Sequence, residues 1–352
     1  MDRGRRSIMR ELMAKDASVW DIAGSYPSML SRLVSDLKDM ARQGLTVPTQ
    51  KGLSLTRQGM AEAAREGLVP RRPTTCRACS GRGLEAGQFR EVLREFRSIA
   101  AKRPRAVPEF DQGYVDEENA LARCLLLYER GDLEGSRVFL LGDDDLTGIC
   151  LALTGLPRAV TVVEIDRRLI DFTGDVAAQR GLPIEVSLYD ARQALPSRMD
   201  GTHQVFITDP VETLPGIGLF LSRCVQALEG PGTAGYFGLT HLEASRVKWA
   251  AIQRMLLEMN LVVTDALPFF NRYLLEDDEY FTGLLLKGIG EGKDRPDSPW
   301  YNSTFFRVEA YGPPRPLHRG DSDMGEELYM DDDLRQFGQI EPGLPGKGDG
   351  QA

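Results

Sequence analysis

The 352-residue sequence contains little cysteine, little histidine and no long hydrophobic run, and each shortage excludes a class of protein. Five cysteines are too few for a disulfide framework in a chain of this length, which favours a reducing cytoplasm. No apolar stretch approaches the roughly 20 residues that a membrane span needs, and no apolar segment follows the basic N-terminus as in a signal peptide. We therefore expect a cytoplasmic protein without a membrane anchor.

Motifs that depend on histidine, on a glycine-rich loop or on clustered metal ligands are also missing. We expect the three scattered histidines, His203, His241 and His318, to be structural or solvated. No P-loop, nucleophile elbow or HExxH pattern occurs. Cys76 and Cys79 form half of a zinc-knuckle pattern, but a structural zinc ion needs four ligands. We predict a turn with two buried thiols and no metal, with a zinc site shared between two subunits as the alternative.

Charge is unevenly distributed along the chain. Residues 1–75 hold 13 Lys/Arg against 8 Asp/Glu, whereas the whole chain has a net charge of −9. Residues 321–352 hold 9 acidic and 2 basic residues. An acidic body repels a phosphate backbone, so nucleic acid is not an expected partner of the main part of the protein.

Composition and hydrophobic periodicity divide the chain into four regions. The pattern of strands and helices predicts an α/β fold with a mostly parallel, Rossmann-like sheet. The four regions are a winged-helix-like N-terminal domain at 1–75, a connector at 76–112, the Rossmann-like domain at 113–290 and a flexible, acidic C-terminal region at 291–352.

The N-terminal region resembles a winged helix. A short helix at 18–23, a longer helix from Leu30 and a two-stranded ribbon at 45–59 follow one another. DNA binding is one interpretation. The longer helix carries acidic as well as basic side chains, which favours the alternative of a docking or dimerisation module.

The central region alternates apolar runs with amphipathic segments, as βαβ units do. We predict helices at 146–154, 167–179, 215–228 and 243–258. We predict strands at 137–141, 160–164, 184–188, 204–208, 233–239, 261–266 and 280–287, with the last two pairing as a hairpin at one edge. The segment 300–311 could form a further strand or cover the site.

Acidic residues follow four successive predicted strands. The carboxyl ends of parallel strands form the usual ligand site, so these side chains are expected to meet in one pocket. The candidate site residues are Gly142, Asp143, Asp144 and Asp145 after the first strand, Glu164 and Ile165 after the second, Asp190 and Ala191 after the third, and Asp209 and Glu212 after the fourth.

These acids fit a cationic cofactor that contains adenosine. Glu164 can accept both ribose hydroxyls, and Asp190 can contact the adenine amino group, while Asp166 is placed to cap the next helix. Three adjacent carboxylates at Asp143–Asp145 repel one another unless a cation neutralises them. A phosphate-bearing cofactor would be repelled as well. A sulfonium cofactor and an amine substrate are therefore predicted.

The assembled motifs resemble those of the branched-chain polyamine synthases, a group of aminopropyltransferases. The Gly-Asp-Asp-Asp-Leu motif of that group appears as Gly142–Leu146. Its Asp-Pro-Pro-Glu-Thr motif appears as Asp209–Thr213, with Val211 in place of the second proline. Glu164 matches the ribose-binding glutamate and Asp190 the adenine-contacting aspartate. The likeness extends over nearly the whole chain.

The resemblance implies a domain like that of class I methyltransferases, with a winged-helix-like N-terminal domain and a flexible tail. It also implies transfer of aminopropyl groups from decarboxylated S-adenosylmethionine, as a co-substrate, to the secondary amine of spermidine, with release of methylthioadenosine. Asp144 is expected nearest the attacking amine, and Asp209 and Glu212 would grip the polyamine. A homodimer, a tail that folds over the polyamine and a thermophilic source are further implications.

Two other functions fit parts of the sequence. An N-methyltransferase using intact S-adenosylmethionine is the first, because Asp209-Pro210 is similar to the start of an amino-methylation motif. No aromatic residue follows Pro210, however, and three aspartates would repel the carboxylate of that cofactor. A winged-helix regulator that senses a polyamine or a nucleotide is the second alternative.

Overall fold

The computed structural model describes most of the chain, namely residues 1–72, 74, 76, 79, 81–107, 110, 112–274 and 300–338. The predicted strand at 280–287, and with it the predicted hairpin partner, lies outside these residues. No helix among the described residues is long and apolar enough to cross a membrane.

The N-terminal part consists of four helices and a two-stranded antiparallel sheet: α1 (Arg3–Ala14), α2 (Val19–Ala23), α3 (Leu30–Arg42), β1 (Thr46–Thr49), β2 (Gly52–Leu55) and α4 (Arg57–Arg65). A capping box explains where α2 begins, because Ser18 accepts the amide of Asp21 and Asp21 accepts the amide of Ser18. The predicted helices at 18–23 and from Leu30 and the predicted ribbon are confirmed. Helices α1 and α4 were not predicted.

The main sheet has seven strands in the order β5-β4-β3-β6-β7-β9-β8, of which β9 alone is antiparallel to both of its neighbours. The strands are β3 (Arg137–Leu141), β4 (Ala159–Glu164), β5 (Ile184–Leu188), β6 (Val205–Thr208), β7 (Ala234–Leu239), β8 (Leu261–Arg272) and β9 (Asn302–Ala310). An α/β fold with a mostly parallel sheet is thereby confirmed, as are the first six predicted strands.

The helices that accompany this sheet are α5 (Arg90–Ala100), α6 (Glu117–Glu129), α7 (Thr147–Leu153), α8 (Arg167–Arg180), α9 (Leu214–Ala227), α10 (Arg246–Glu258) and α11 (Asp332–Gly338). Short 3-10 turns occur at Gly87–Phe89, Ser197–Met199 and Glu326–Leu328. Helices α7 to α10 match the four predicted helices of this region to within about three residues at each end.

Both faces of the central sheet are covered, which explains why its strands are continuous apolar runs. In β3, Val138 and Leu140 belong to one hydrophobic cluster, and Phe139 and Leu141 belong to the other. Successive side chains of a strand point to opposite faces, so each face contributes to its own core. Helices on both faces leave the carboxyl ends of the strands open for a ligand.

Strand β9 corrects the predicted C-terminal boundary. Residues 291–352 were predicted to be a flexible acidic region in which 300–311 could form a strand, and Asn302–Ala310 does form one, between β7 and β8. Phe305 and Val308 in this strand are fully buried. The Pro, Gly and acidic residues around it conceal a strand whose pairing partners lie far away in the sequence.

The cysteine pair also differs from the prediction. The turn at Cys79 is present, because the Arg82 amide donates to the Cys79 carbonyl oxygen at 2.9 Å. Cys76 is exposed and Cys79 is partly exposed, so the prediction of two buried thiols is wrong. Within the described part of the chain, no group of three or more His, Cys, Asp or Glu side chains is arranged so that it could hold a metal ion. The remaining cysteines, Cys124, Cys150 and Cys224, are buried.

Candidate active site

A cavity of about 470 Å³ opens at the carboxyl ends of the parallel strands, where β4 and β6 flank β3 on opposite sides. The helices that follow β3 and β4 lie on one face of the sheet, and the helix that follows β6 lies on the other. The loops after these strands therefore diverge and leave a crevice between them. All ten predicted site residues line this cavity: Gly142, Asp143, Asp144, Asp145, Glu164, Ile165, Asp190, Ala191, Asp209 and Glu212.

The turn after β3 has two residues in the left-handed backbone region. Gly142 has φ +74°, a conformation that glycine adopts without strain, and its amide donates to the Val163 carbonyl oxygen at 2.9 Å. Leu146 has φ +59° although it carries a side chain. Such strain persists only where the surrounding structure enforces it, and here Leu146 is completely buried. The turn is therefore held rigidly around its three aspartates.

The first and third aspartates of this turn are engaged by the protein itself. Both carboxylate oxygens of Asp143 accept the Gly148 amide, at 3.0 and 3.1 Å, which caps the start of α7. Asp145 accepts the Thr147 hydroxyl at 2.7 Å and Arg123 at 2.5 Å. Asp143 and Asp145 are only 3% and 4% exposed. Capping and ion pairing account for both side chains.

Asp144 differs from both neighbours. Among the described residues its hydrogen-bond partner is the Gly113 amide, at 2.9 Å, and it has no cationic partner. Burial, followed by the negative charge of Asp145, raises the pKa of Asp144 to about 8. A carboxyl group with this pKa can take up a proton near neutral pH, as a general base does.

Glu164 ends β4 and is held by backbone amides. Its Oε1 accepts the amides of Ile165 at 2.8 Å and Asp166 at 2.9 Å, and its Oε2 accepts the amide of Asp143 at 2.9 Å. These bonds orient the carboxylate beside Gly142, while burial raises its pKa. Asp166 caps α8 through the Arg168 amide at 2.9 Å, as predicted.

Asp190 and Ala191 follow β5 and are anchored by two arginines. Arg192 donates to Asp190 from its Nε at 3.0 Å and from its terminal nitrogen at 2.6 Å. Burial acts to raise the pKa of Asp190, but the hydrogen bonds from Arg192 outweigh it and the pKa is lowered. Arg223 is fully buried and donates to the Ala191 carbonyl oxygen at 2.9 Å. This side of the cavity therefore stays charged and rigid.

Asp209 and Glu212 lie on the turn after β6. Asp209 Oδ2 accepts Arg123 at 2.5 Å, and Asp209 Oδ1 faces Gly238, where a Cβ would come within 2.3 Å. Gly238 therefore makes room for this carboxylate. Both oxygens of Glu212 accept the Thr240 amide, at 2.9 and 3.0 Å. Burial, and then the nearby Glu243, raise the pKa of Glu212 well above its usual value.

Sequence analysis missed Arg123 and Glu243. Arg123 lies on α6, where one arginine within an apolar helical run is the signal that could have revealed it. Glu243 follows β7, is 9% exposed and accepts the hydroxyl of Tyr301. Tyr273 and Tyr301 add an aromatic wall on the same side, and their rings pack edge to face at 5.5 Å.

The C-terminal segment Leu328–Leu334 covers one side of the cavity. Thr213 donates its hydroxyl to the Leu328 carbonyl oxygen at 2.7 Å. Lys248 bonds Asp331 at 2.8 Å and also donates to the carbonyl oxygen of Glu212 at 2.9 Å. This lysine therefore connects the covering segment to the acidic half of the cavity.

Negative charge dominates the cavity. Among the described lining residues, Arg123 supplies the cationic side chain, whereas eight are acidic: Asp143, Asp144, Asp145, Glu164, Asp190, Asp209, Glu212 and Glu243. Burial, and then the neighbouring like charges, raise the pKa of Asp143, Asp144 and Glu212, and a cationic ligand would relieve the repulsion. The arrangement suits a ligand with several positive charges.

The histidines lie outside the cavity lining and have structural partners. His203 is buried and its Nε2 lies 3.0 Å from the Thr161 hydroxyl. His241 Nε2 lies 2.6 Å from the carbonyl oxygen of Tyr26. The prediction that these two are structural is confirmed.

Comparison with known families and proteins agrees with the site. Residues 91–336 match the family model for the branched-chain polyamine synthase A C-terminal domain. The chain is 37% identical over 336 residues to N(4)-bis(aminopropyl)spermidine synthase of Thermococcus kodakarensis, covering 93% of this chain and 94% of that one. It is 40% identical over 309 residues to the protein of the same name from Thermus thermophilus, covering 87% of each.

A solved structure shows the same likeness in three dimensions. The branched-chain polyamine synthase of Thermus thermophilus, in complex with N4-aminopropylspermidine and 5'-methylthioadenosine, has a TM-score of 0.81 and 36% sequence identity to this chain. The match covers 94% of this chain and 91% of that one.

Proposed function

Because this chain belongs to the branched-chain polyamine synthase family, we propose that it transfers aminopropyl groups from decarboxylated S-adenosylmethionine to the secondary amine of spermidine. The products are a branched polyamine and methylthioadenosine. The observation that carries this proposal is the environment of Asp144. It is the one aspartate of the Gly142–Leu146 turn without a cap or ion-pair role in the described structure, and it faces a strongly acidic cavity.

The chemistry of the step follows from the charges in the cavity. The neutral secondary nitrogen attacks the carbon bonded to the sulfonium; the new C–N bond forms as the C–S bond breaks. The sulfur keeps the bonding electrons and leaves in methylthioadenosine. The alkylated nitrogen then carries a proton, which passes to the Asp144 carboxylate. Its raised pKa, about 8, matches the task of a general base near neutral pH.

The nucleoside half of the cavity would bind the co-substrate. Glu164 is oriented to accept the ribose hydroxyls, Asp190 to accept the adenine amino group, and Ile165 and Ala191 to contact the base. Gly142 has no side chain, and a Cβ there would meet only Glu164 Oε2 at 4.0 Å, so the turn leaves room for the sulfonium. A carboxylate on the co-substrate would meet the acids of the turn, which favours the decarboxylated form.

The amine half would bind the polyamine. Asp209 and Glu212 line it, and Glu243 joins them with Tyr273 and Tyr301. Carboxylates pair with the primary ammonium groups, and the aromatic rings cover the methylene segments and can face a cation. Positioning the chain in this way leaves its secondary nitrogen beside the β3 turn.

The finer organisation is also part of the proposal. Four helices and the β1–β2 ribbon support a winged-helix-like domain over about residues 1–75, and residues 76–112 serve as its connector. The catalytic domain would then extend from 113 through β9 rather than ending at 290. We propose a homodimer in the cytoplasm, with the N-terminal domain as the docking module.

The test is an incubation of the protein with spermidine and either decarboxylated or intact S-adenosylmethionine, followed by mass analysis. Gain of one or two aminopropyl units, with an equal amount of methylthioadenosine for each transfer, is expected with the decarboxylated form. A methylated polyamine formed from the intact form would contradict the proposal, and so would the absence of transfer to spermidine.

A further inference from the structure

Arg123 lies at the centre of the cavity wall, outside both acidic motifs. We propose that Arg123 is a positioning residue: it pairs with one carboxylate oxygen of Asp145 and one of Asp209, so that Asp144 receives the proton. This inference rests on the aminopropyl transfer proposed above. It divides the acids at the strand ends into two that are neutralised by the protein and one that reacts.

The guanidinium group is restrained on three edges and on one face. Its Nε donates to Asn271 at 3.0 Å, and its two terminal nitrogens donate to Asp145 and Asp209 at 2.5 Å each. The Phe305 ring lies 5.2 Å from the guanidinium carbon. A planar fork can bridge two carboxylates in this way, whereas a lysine ammonium is a single point charge.

Burial makes this pairing strong. Arg123 is 2% exposed, and although burial acts to lower its pKa, Asp145 and Asp209 raise the pKa above its ordinary value. A permanently charged group therefore remains between β3 and β6. Without it, Asp145 and Asp209 would each bind an ammonium group more tightly and shift the acceptor nitrogen away from Asp144.

The charged groups that face Asp144 determine in which direction a substitution shifts its titration. Asp143 and Asp145 lie on its own turn, Glu164 ends β4 and Asp209 ends β6. All four are negative when ionised. Arg123 offsets two of them, Asp145 and Asp209, through direct contacts.

Two substitutions should therefore shift the pH profile of kcat/KM in opposite directions. Arg123→Met leaves Asp145 and Asp209 unpaired, so the acidic limb that reports Asp144 should move up by about one pH unit. Asp145→Asn removes a negative charge next to Asp144, so the same limb should move down. Arg123→Lys keeps the positive charge but loses the planar guanidinium that bridges the two carboxylates. Its kcat should therefore fall, while the pH of the acidic limb changes little.

A second readout does not require turnover. Carboxyl-carbon NMR of protein labelled at aspartate, with Asp144→Asn to assign the signal, measures the same titration in the parent and in each variant. The proposal is supported if the pKa of Asp144 rises in Arg123→Met and falls in Asp145→Asn. It is overturned if this pKa shifts in neither variant, or in the same direction in both. If Arg123→Met does not fold, Arg123→Lys decides, because it keeps the charge but cannot bridge Asp145 and Asp209; an unchanged kcat in that variant overturns the proposal. If the parent transfers no aminopropyl group, the proposed function fails; if it does transfer one but the Asp144 titration does not shift in opposite directions, only the inference about Arg123 fails.

Discussion

Replacing Asp144 by asparagine should abolish most of the activity while the fold is retained. The substitution keeps size and shape, and the amide oxygen can still accept the Gly113 amide that Asp144 bonds at 2.9 Å. It also removes one of several mutually repelling carboxylates, so the free energy of unfolding should not fall. Only the ability to take up a proton is lost.

The expected magnitude follows from the role of a general base. Such a group contributes about 10²–10⁴-fold to the rate, so Asp144→Asn should raise the barrier by about 3–5 kcal/mol. In the parent, kcat/KM should rise with pH through about 8, because Asp144 acts in its deprotonated form. The variant should have lost this limb.

The assay is quantitation of methylthioadenosine and polyamine products against pH, with thermal unfolding measured alongside. Asp143→Asn is the matched control, because it makes the same change of charge in the same turn at a residue that caps α7. It should leave stability nearly unchanged, because the asparagine oxygen can still accept the Gly148 amide, and it should affect kcat less. The reasoning fails if folded Asp144→Asn keeps more than about a tenth of the parental kcat, or if both variants lose kcat equally.

Three further predictions concern binding and the covering segment. Glu164→Gln should weaken methylthioadenosine binding about tenfold or more, with little effect on spermidine binding, because one oxygen becomes a donor facing backbone amides. Lys248→Met should release Leu328–Leu334, since it leaves Asp331 without its partner at 2.8 Å; hydrogen exchange there should rise. The pKa of Asp331 is lowered in the folded state, because the hydrogen bond from Lys248 outweighs burial. Its stabilisation is therefore present above the ordinary value of 3.8 and is lost as pH falls below it, which proteolysis of the segment can follow.

Each of these predictions has a result that would contradict it. For Glu164→Gln it is an equal loss of affinity for the nucleoside and the amine, measured by calorimetry. For Lys248→Met it is hydrogen exchange in Leu328–Leu334 that is no faster than in the surface control variant Arg254→Met. For the acid transition it is an Asp331→Asn variant with the same pH dependence of proteolysis as the parent.

Much of the fold could be predicted because the local signals and the tertiary environment agree. Buried parallel strands are continuous apolar runs, so the bounds of β3 to β7 were predicted within one residue. For β9 the sequence left two alternatives, a strand or a segment that covers the site, because Pro, Gly and acids surround it in sequence. Its position depends on partners in β7 and β8, which no local pattern reveals.

The division of roles among the acids could not be predicted from their spacing. Asp143, Asp144 and Asp145 are the same residue type in consecutive positions. Their difference lies in the contacts that the folded turn gives them: Asp143 accepts the Gly148 amide at the start of α7, and Asp145 accepts Arg123. Side-chain direction depends on backbone angles that the local sequence does not specify.

By itself, the sequence determined that acids follow successive strands, because strand periodicity and parallel crossovers bring the carboxyl ends of strands to one edge of the sheet. That was enough to predict an acidic pocket, an adenosine-containing sulfonium and an amine. Only the tertiary structure decided which acids are neutralised and which one stays unpaired. Arg123 meets Asp209 across 86 residues of sequence and Asn271 across 148, and contacts between such distant residues exist only once the chain is folded.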